Sequence, residues 1–157
     1  MAESSDSSRA AVAGEGSYGK LPKEFLGNIE KMQFHIYDFA NLNQKRDEHL
    51  CTSKVKAHGH LWKLRICPRG CSKSKTDAEY VSVFLEYAGE NTELNPVLAK
   101  AIIRTKTISL TQPKFEFRKG KAGSGWPSFG KRQDIIDNDC NNAGTLTITV
   151  ELQVATE

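Results

Sequence analysis

The feature that most constrains the fold of this chain is its closing run, residues 146–154, in which apolar and polar residues strictly alternate. The apolar members are Leu146, Ile148, Val150, Leu152 and Val154. Successive side chains of a β-strand point to opposite faces, so this pattern predicts a strand with one buried and one exposed face. Such strands are typical of antiparallel sheets.

Shorter alternating runs occur earlier in the chain and predict further strands. They cover residues 32–36, 62–66, Tyr80–Tyr87 and Val97–Arg104, with a short candidate at 115–117. Within the third run, one face holds Val81, Val83, Leu85 and Tyr87, and the other holds Tyr80, Ser82, Phe84 and Glu86. No segment repeats apolar residues at helical spacing over three turns, and only residues 131–136 suggest a short helix. About seven or eight strands predict an all-β antiparallel sandwich.

The 157 residues suffice for one domain and a tail. We expect residues 1–27 to be a disordered leader, because the first twenty are rich in serine, alanine and glycine. Residues 28–157 are then the folded domain. The leader contains GEGSYG at 14–19, which matches a phosphate-binding pattern. The pattern needs a preceding strand and a following helix, so a flexible linker is the better interpretation.

Charge and targeting features narrow the functional classes. The net charge of +3 does not identify a nucleic-acid binder. No stretch has the roughly 20 apolar residues that a membrane span needs. The start MAESSDSSRA lacks the features of a secretory signal, so we expect free thiols at the four cysteines. These points predict a cytoplasmic or nuclear protein without a membrane partner.

The candidate catalytic and metal-binding residues are weakly patterned. His58, His60, Cys67 and Cys71 are possible zinc ligands, but they flank a predicted strand at unfavourable spacing. Loop histidines and structural thiols are the simpler interpretation. Serines 124 and 128 lie in GSGWPSFG, which is not the nucleophile turn of hydrolases. We therefore expect neither an enzyme nor a bound cofactor or metal.

Residues 114–132 combine six basic residues with one acidic residue. The same stretch contains Phe115, Phe117, Trp126 and Phe129. Interleaved aromatic and basic residues can bind single-stranded nucleic acid by stacking and phosphate contact. They can equally frame a peptide groove. The third interpretation is a buried aromatic set with a solvated basic rim.

Five segments in order give residues 28–154 a resemblance to the MATH (meprin and TRAF homology) family. The segments are IEKMQFHIYDFANL, HGHLWKLRICPRG, EYVSVFLEYAG, GSGWPSFGKRQDII and LTITVELQV. The resemblance implies an eight-stranded antiparallel sandwich that binds short linear peptides. It is closest to MATH domains joined to BTB domains, as in speckle-type POZ-like proteins. It therefore implies an adaptor for Ser/Thr-rich motifs, a substrate receptor that reaches a cullin-type ubiquitin ligase through a BTB domain absent from this sequence. The leader is too short and glycine-rich for the trimerising coiled coil of the TRAF branch, so we expect a monomer.

The resemblance also implies where the peptide binds. Its groove residues correspond to Tyr80, Phe115, Lys121, Trp126, Phe129 and Lys131. The family's central aromatic on a neighbouring strand falls at or near Ala101, and the resemblance implies that two residues are missing after Trp126. The alternatives are a TRAF-like signalling or self-association module and, third, a basic and aromatic nucleic-acid module.

Overall fold

A computed structural model describes residues 27–89 and 96–155. The strands in these ranges are β1 (Glu30–Ile36), β2 (Leu50–Cys51), β3 (Val55–Ala57), β4 (His60–Cys67), β5 (Tyr80–Tyr87), β6 (Val97–Arg104), β7 (Ser109–Phe117), β8 (Ser124–Lys131) and β9 (Leu146–Val154). A single turn of 3₁₀ helix covers Phe39–Asn41, and helix α1 covers Arg132–Asn138. The short helix expected near residues 131–136 is therefore present. Nearly all of the predicted leader, with its GEGSYG motif, lies outside the described residues.

The strands form two antiparallel sheets, which confirms the predicted sandwich. Sheet I has the order β1-β9-β6-β7. Sheet II has the order β2-β4-β5-β8, with β3 also paired to β4. The described ranges hold nine strands, whereas eight were expected. Two of the nine, β2 and β3, have only two and three residues. Elements this short carry too little alternation to be seen in the sequence.

Alternation places one face of each long strand in a shared core. The five apolar residues of the closing run lie on one face of β9, and the first four are at most 1% exposed. Trp62 on β4 is fully buried and meets the rings of Tyr87 and Phe117 edge-on, at centroid distances of 5.5 and 5.1 Å. Its indole N–H donates to the Ala57 carbonyl at 3.0 Å, so the one polar atom of the side chain is satisfied.

One long side of the sandwich, where β1 lies beside β3, is here called the closed flank. The hairpin from β3 to β4 turns through His58 and Gly59, both with positive φ (52° and 75°). This is the geometry of the two-residue turns that match strand twist. The turn aims the His58 Nε2 atom at the Leu152 carbonyl of β9, 2.8 Å away. The His58 backbone N–H donates to the Glu30 carboxylate of β1 at 2.9 Å. Side chain and backbone together join sheet II to sheet I.

The opposite side, where β7 lies beside β8, is here called the open flank. Each of these edge strands is interrupted. In β7, Gln112 and Phe115 pair with Ala101 and Ala99, so two residues of β7 oppose one residue of β6. In β8, three residues separate Trp126 from Gly130, where β5 has one. A proline lies in each interruption, at 113 and 127, and proline is tolerated in sheets at edges and bulges.

Candidate functional site

A shallow groove of about 600 Å³ crosses the open flank. Its walls come from the solvent-facing side of β4 and β5, from the start of β8, from the edge of β7 and from the loop after β4. The side chains used below are Arg65, Cys67, Cys71, Phe84, Gln112 and Phe115. A second cavity lies beside it, contains Lys63, Glu86 and Lys121, and shares Arg65 with the groove. The open flank therefore offers one extended depression with aromatic and polar walls.

The floor of the groove is the ring of Phe84. The alternation of β5 turns Phe84 away from the core, and its cross-strand neighbour is Arg65. The guanidinium carbon of Arg65 lies 4.7 Å from the ring centroid. Arg65 Nε also donates to the Glu86 carboxylate at 2.9 Å. The carboxylate and the ring hold the arginine in place, so charge and apolar surface meet at a fixed position.

Glycines at the start of β8 leave this floor uncovered. Gly125 is the cross-strand neighbour of Phe84, on the same solvent-facing side. A Cβ at Gly125 would overlap the carbonyl oxygen of Val83, and one at Gly123 would overlap that of Leu85. The two strands thus approach more closely than any side chain allows. Glycine here serves both the strand contact and the exposure of Phe84.

The interruption in β8 is held by three serines. The Pro127 carbonyl accepts a hydrogen bond from the Ser82 hydroxyl of β5 at 2.8 Å, and Ser74 in the loop after β4 also lies within hydrogen-bonding distance of it. The Ser128 hydroxyl accepts from the Lys75 backbone N–H at 2.9 Å. These contacts tie the loop after β4 to β8 and fix one wall of the groove.

Two of the six predicted site residues border this depression. Phe115 lines the groove and packs edge-on against Phe117 at a centroid distance of 4.7 Å. Lys121 is exposed and lines the neighbouring cavity. Ala101 is buried and pairs with Gln112 of β7, which lines the groove together with Phe115.

The other four residues lie elsewhere. Tyr80 and Lys131 are cross-strand partners at the far end of the β5–β8 ladder. Tyr80 is four residues from Phe84, or about 13 Å along a strand. Its hydroxyl lies 3.4 Å from the Asp77 carboxylate, and burial, followed by that contact, raises its pKa. Its exposed fraction is only 7%.

The two remaining aromatics face the core. Trp126 is the cross-strand partner of the buried Val83, so its ring lies on the core side of β8, where it is half-buried. Phe129 is 5% exposed and lies 6.0 Å from Trp126 between ring centroids. Phe129 is therefore a core residue, since a peptide cannot reach it on this surface.

Sequence reasoning missed Arg65, Phe84 and Gln112. The signal for Phe84 was available, because alternation puts this aromatic residue on the polar face of β5. A phenylalanine between Ser82 and Glu86, on the face turned away from the core, needs a reason to be there. Gln112 carried no such signal, since its position depends on the interruption in β7.

The other candidate chemistries acquire no structural support. In the part of the chain that the structure describes, no three His, Cys, Asp or Glu side chains are grouped as metal ligands. His60 instead lies 3.2 Å from the Tyr87 hydroxyl. Two of the four aromatics in residues 114–132, Phe117 and Phe129, are buried and unable to stack on bases. No helix within the described ranges has the length and apolar character needed to cross a membrane.

Comparison with known proteins decides the family. The family model of the MATH domain matches residues 31–152 of this chain. The chain belongs to the MATH family. A solved structure of Notothenia coriiceps TRAF5 superposes with a TM-score of 0.51 at 13% identity, covering 78% of this chain and 72% of that one. No curated protein matches the sequence significantly. The MATH domain is generally a protein-interaction module rather than an enzyme, and this chain has that fold.

Proposed function

We propose that this MATH domain binds an extended peptide segment of a partner protein in the groove of the open flank. The observation that carries the proposal is the pair of half-buried rings, Phe84 and Phe115, which face one groove from different sheets. Aromatic rings in a groove supply most of the apolar contact that anchors a peptide. Gln112 and Arg65 are placed to bond its backbone or side chains.

The groove is shallow, which sets the expected strength of binding. A shallow site buries little of its ligand, and ordering a flexible peptide costs conformational entropy. We expect dissociation constants in the micromolar range, equivalent to about −8 kcal/mol or weaker. Of the residues predicted from sequence, Phe115 and Lys121 remain the proposed contacts, whereas Tyr80, Trp126, Phe129 and Lys131 are not part of the proposed site.

The finer assignment is a receptor for Ser/Thr-rich substrates of a cullin-type ubiquitin ligase. It rests on the resemblance to MATH domains of BTB proteins, and the ligase would be reached through a BTB domain outside this sequence. A TRAF-like signalling module is an equally good alternative, because it needs the same fold and the same kind of groove. Light scattering separates the two, since the first predicts a monomer at all concentrations and the second predicts association.

The test is an NMR titration of the isotope-labelled domain with a degenerate pool of Ser/Thr-rich peptides. We expect saturable shifts in the amides of residues 65, 84, 112, 115 and 121. Phe84→Ala and Phe115→Ala should each weaken binding at least tenfold. Tyr37→Ala is the matched control, because Tyr37 is an aromatic residue that is 70% exposed and lies beside β3. Equal loss in the control, or shifts centred on Tyr80 and Lys131, would contradict the proposal.

A further inference from the structure

Two of the four cysteines lie in one wall of the groove. Cys67 is the last residue of β4, and Cys71 follows it after a turn. Both line the groove, Cys67 as a buried residue and Cys71 as a half-buried one. Cys51 is exposed on β2, and Cys140 lies in a separate cavity near helix α1. All four are free thiols in this structure.

The turn between the two cysteines is tight. The Gly70 backbone N–H donates to the Cys67 carbonyl at 3.0 Å, and Gly70 has φ of 87°. A Cβ on Gly70 would approach the Ser74 hydroxyl and the Tyr80 carbonyl to 3.0 Å. The chain therefore doubles back over the end of β5 and returns Cys71 to the face that carries Cys67.

Two serine hydroxyls lie beside the two cysteines. Ser82 is the cross-strand partner of Cys67, and such partners have Cβ atoms about 5 Å apart. The Ser82 hydroxyl lies 3.1 Å from that of Ser74, which in turn lies 3.6 Å from the Cys71 sulfur. Both hydroxyls also lie within hydrogen-bonding distance of the Pro127 carbonyl, which can accept from either of them. Cys71 therefore contacts this pair of hydroxyls, and Cys67 lies on the neighbouring strand, directly across from Ser82.

The two thiols differ in their chemistry. Burial by itself raises the pKa of Cys71, but hydrogen bonds from Ser82, Ser74 and the Lys73 amide outweigh it and lower the pKa overall, against a small opposing effect of Asp47. Burial raises the pKa of Cys67, and Arg65 only partly offsets this. The thiolate is the nucleophilic form of cysteine, so Cys71 is the more reactive of the two.

We propose that Cys71 is an oxidant-reactive thiol of the groove and that Cys67 resolves its oxidised form into a disulfide. The Cys71 thiolate attacks one oxygen of hydrogen peroxide, the O–O bond breaks, and hydroxide leaves and takes up a proton to become water. Cys71 is thereby oxidised to a sulfenic acid. The Cys67 sulfur then attacks the Cys71 sulfur, the S–O bond breaks, and a second water leaves. Together the two thiols lose two electrons, and one hydrogen peroxide is reduced to two waters.

The disulfide would change the wall of the groove. Bonding to Cys67 withdraws the Cys71 sulfur from Ser74, whose hydroxyl also lies against the Pro127 carbonyl of β8. We expect weaker peptide binding after oxidation; this consequence alone rests on the proposed function. The reaction itself does not, so its test uses a readout that needs no peptide.

The experiment treats the folded domain with one equivalent of hydrogen peroxide, alkylates the remaining thiols and maps the products by mass spectrometry. We expect an internal disulfide between Cys67 and Cys71, with Cys51 and Cys140 alkylated. In Cys67→Ser, dimedone should trap a sulfenic acid on Cys71. The exposed Cys51 is the internal control, because it has solvent access but lacks the serine hydrogen bonds in this part of the structure.

A second measurement tests the role of the hydroxyls. Under limiting iodoacetamide, Cys71 of the unmodified protein should be alkylated several-fold faster than Cys51. Ser74→Ala should remove that advantage while Cys51 keeps its rate, and continued protection of the buried Cys67 reports that the variant is folded. Faster reaction at Cys51 in the unmodified protein, or peroxide products confined to cysteines other than 67 and 71, would overturn the proposal.

Discussion

The closed flank and the open flank protect their exposed strand edges in opposite ways. At each flank, an edge strand of sheet I comes beside an edge strand of sheet II, and exposed edges invite unwanted pairing. On the closed flank, the β3–β4 hairpin folds over the gap, and His58 bonds both β1 and β9. On the open flank, β7 and β8 each carry a proline and an irregular register, and a groove lies between them.

The difference teaches how a sandwich can keep a binding surface without losing its core. On the closed flank, a short hairpin forms hydrogen bonds across the gap between the sheets and stabilises the sandwich. Where proline and irregular pairing interrupt the strands, the backbone does not continue the sheet, and aromatic side chains line the opening instead. The buried set around Trp62 lies between the flanks and gives each of them a rigid base.

The largest effect should come from comparing the two tryptophans. Trp62→Ala removes a fully buried ring and its hydrogen bond to Ala57, which should cost about 3–5 kcal/mol of unfolding free energy. Trp126→Ala removes a half-buried ring beside the open flank and should cost about half as much. Urea unfolding of both variants measures the difference. Equal losses would mean that the open flank is as firmly packed as the centre.

A second variant tests the close approach of β8 to β5. Gly125→Ala would place a methyl group against the Val83 carbonyl, so β8 must shift. Overpacking of this kind typically costs about 1–3 kcal/mol. Amide chemical shifts should change along the start of β8 and at Phe84, and they should be unchanged at His58. The comparison variant is Gly120→Ala, which is strained by its positive φ but meets no atom within 4 Å, so it should leave the amide shift of Phe84 unchanged. A Gly125→Ala protein with native shifts at Phe84 would contradict this account of the groove floor.

A third variant tests the hydrogen bond that joins the two sheets at the closed flank. His58→Ala removes the side-chain bond to the Leu152 carbonyl and should lower the unfolding free energy by about 1–2 kcal/mol. Hydrogen exchange should accelerate in β1 and β3 and stay unchanged in β7. His58→Asn keeps a residue that tolerates positive φ, so its comparison with alanine separates backbone strain from the lost contact. Faster exchange on both flanks would show that the flanks are not independent.

The smallest effect on stability and the largest on binding should come from Phe84→Ala. The ring is half-buried and faces solvent, so we expect a loss of about 1 kcal/mol or less in unfolding free energy. Peptide affinity should fall at least tenfold, as measured by calorimetry at a fixed salt concentration. A variant that is strongly destabilised would place Phe84 in the core and remove the floor of the groove.

Much of the fold was predictable from the sequence. Strands β5 and β6 have the bounds that alternation predicted, and β4, β9 and α1 lie where their runs placed them. These elements were predictable because each long strand buries one face, so that apolar residues recur at every second position. β2 and β3 escaped notice because two or three residues cannot display a period. Strand β7 is longer than its predicted fragment at 115–117, because Pro113 breaks the alternation.

The groove was only partly predictable. Phe115 and Lys121 were identified and border it, but Phe129 is buried in the core, and Tyr80 lies at the other end of its strand from Phe84. The sequence by itself determined which faces are apolar, and therefore the sandwich, because periodicity is a local property of the chain. Only the tertiary structure decided which exposed side chains meet, because Arg65, Phe84 and the pair Gln112 and Phe115 come from three different strands. Their meeting depends on register and on two interruptions at proline, which no local pattern records.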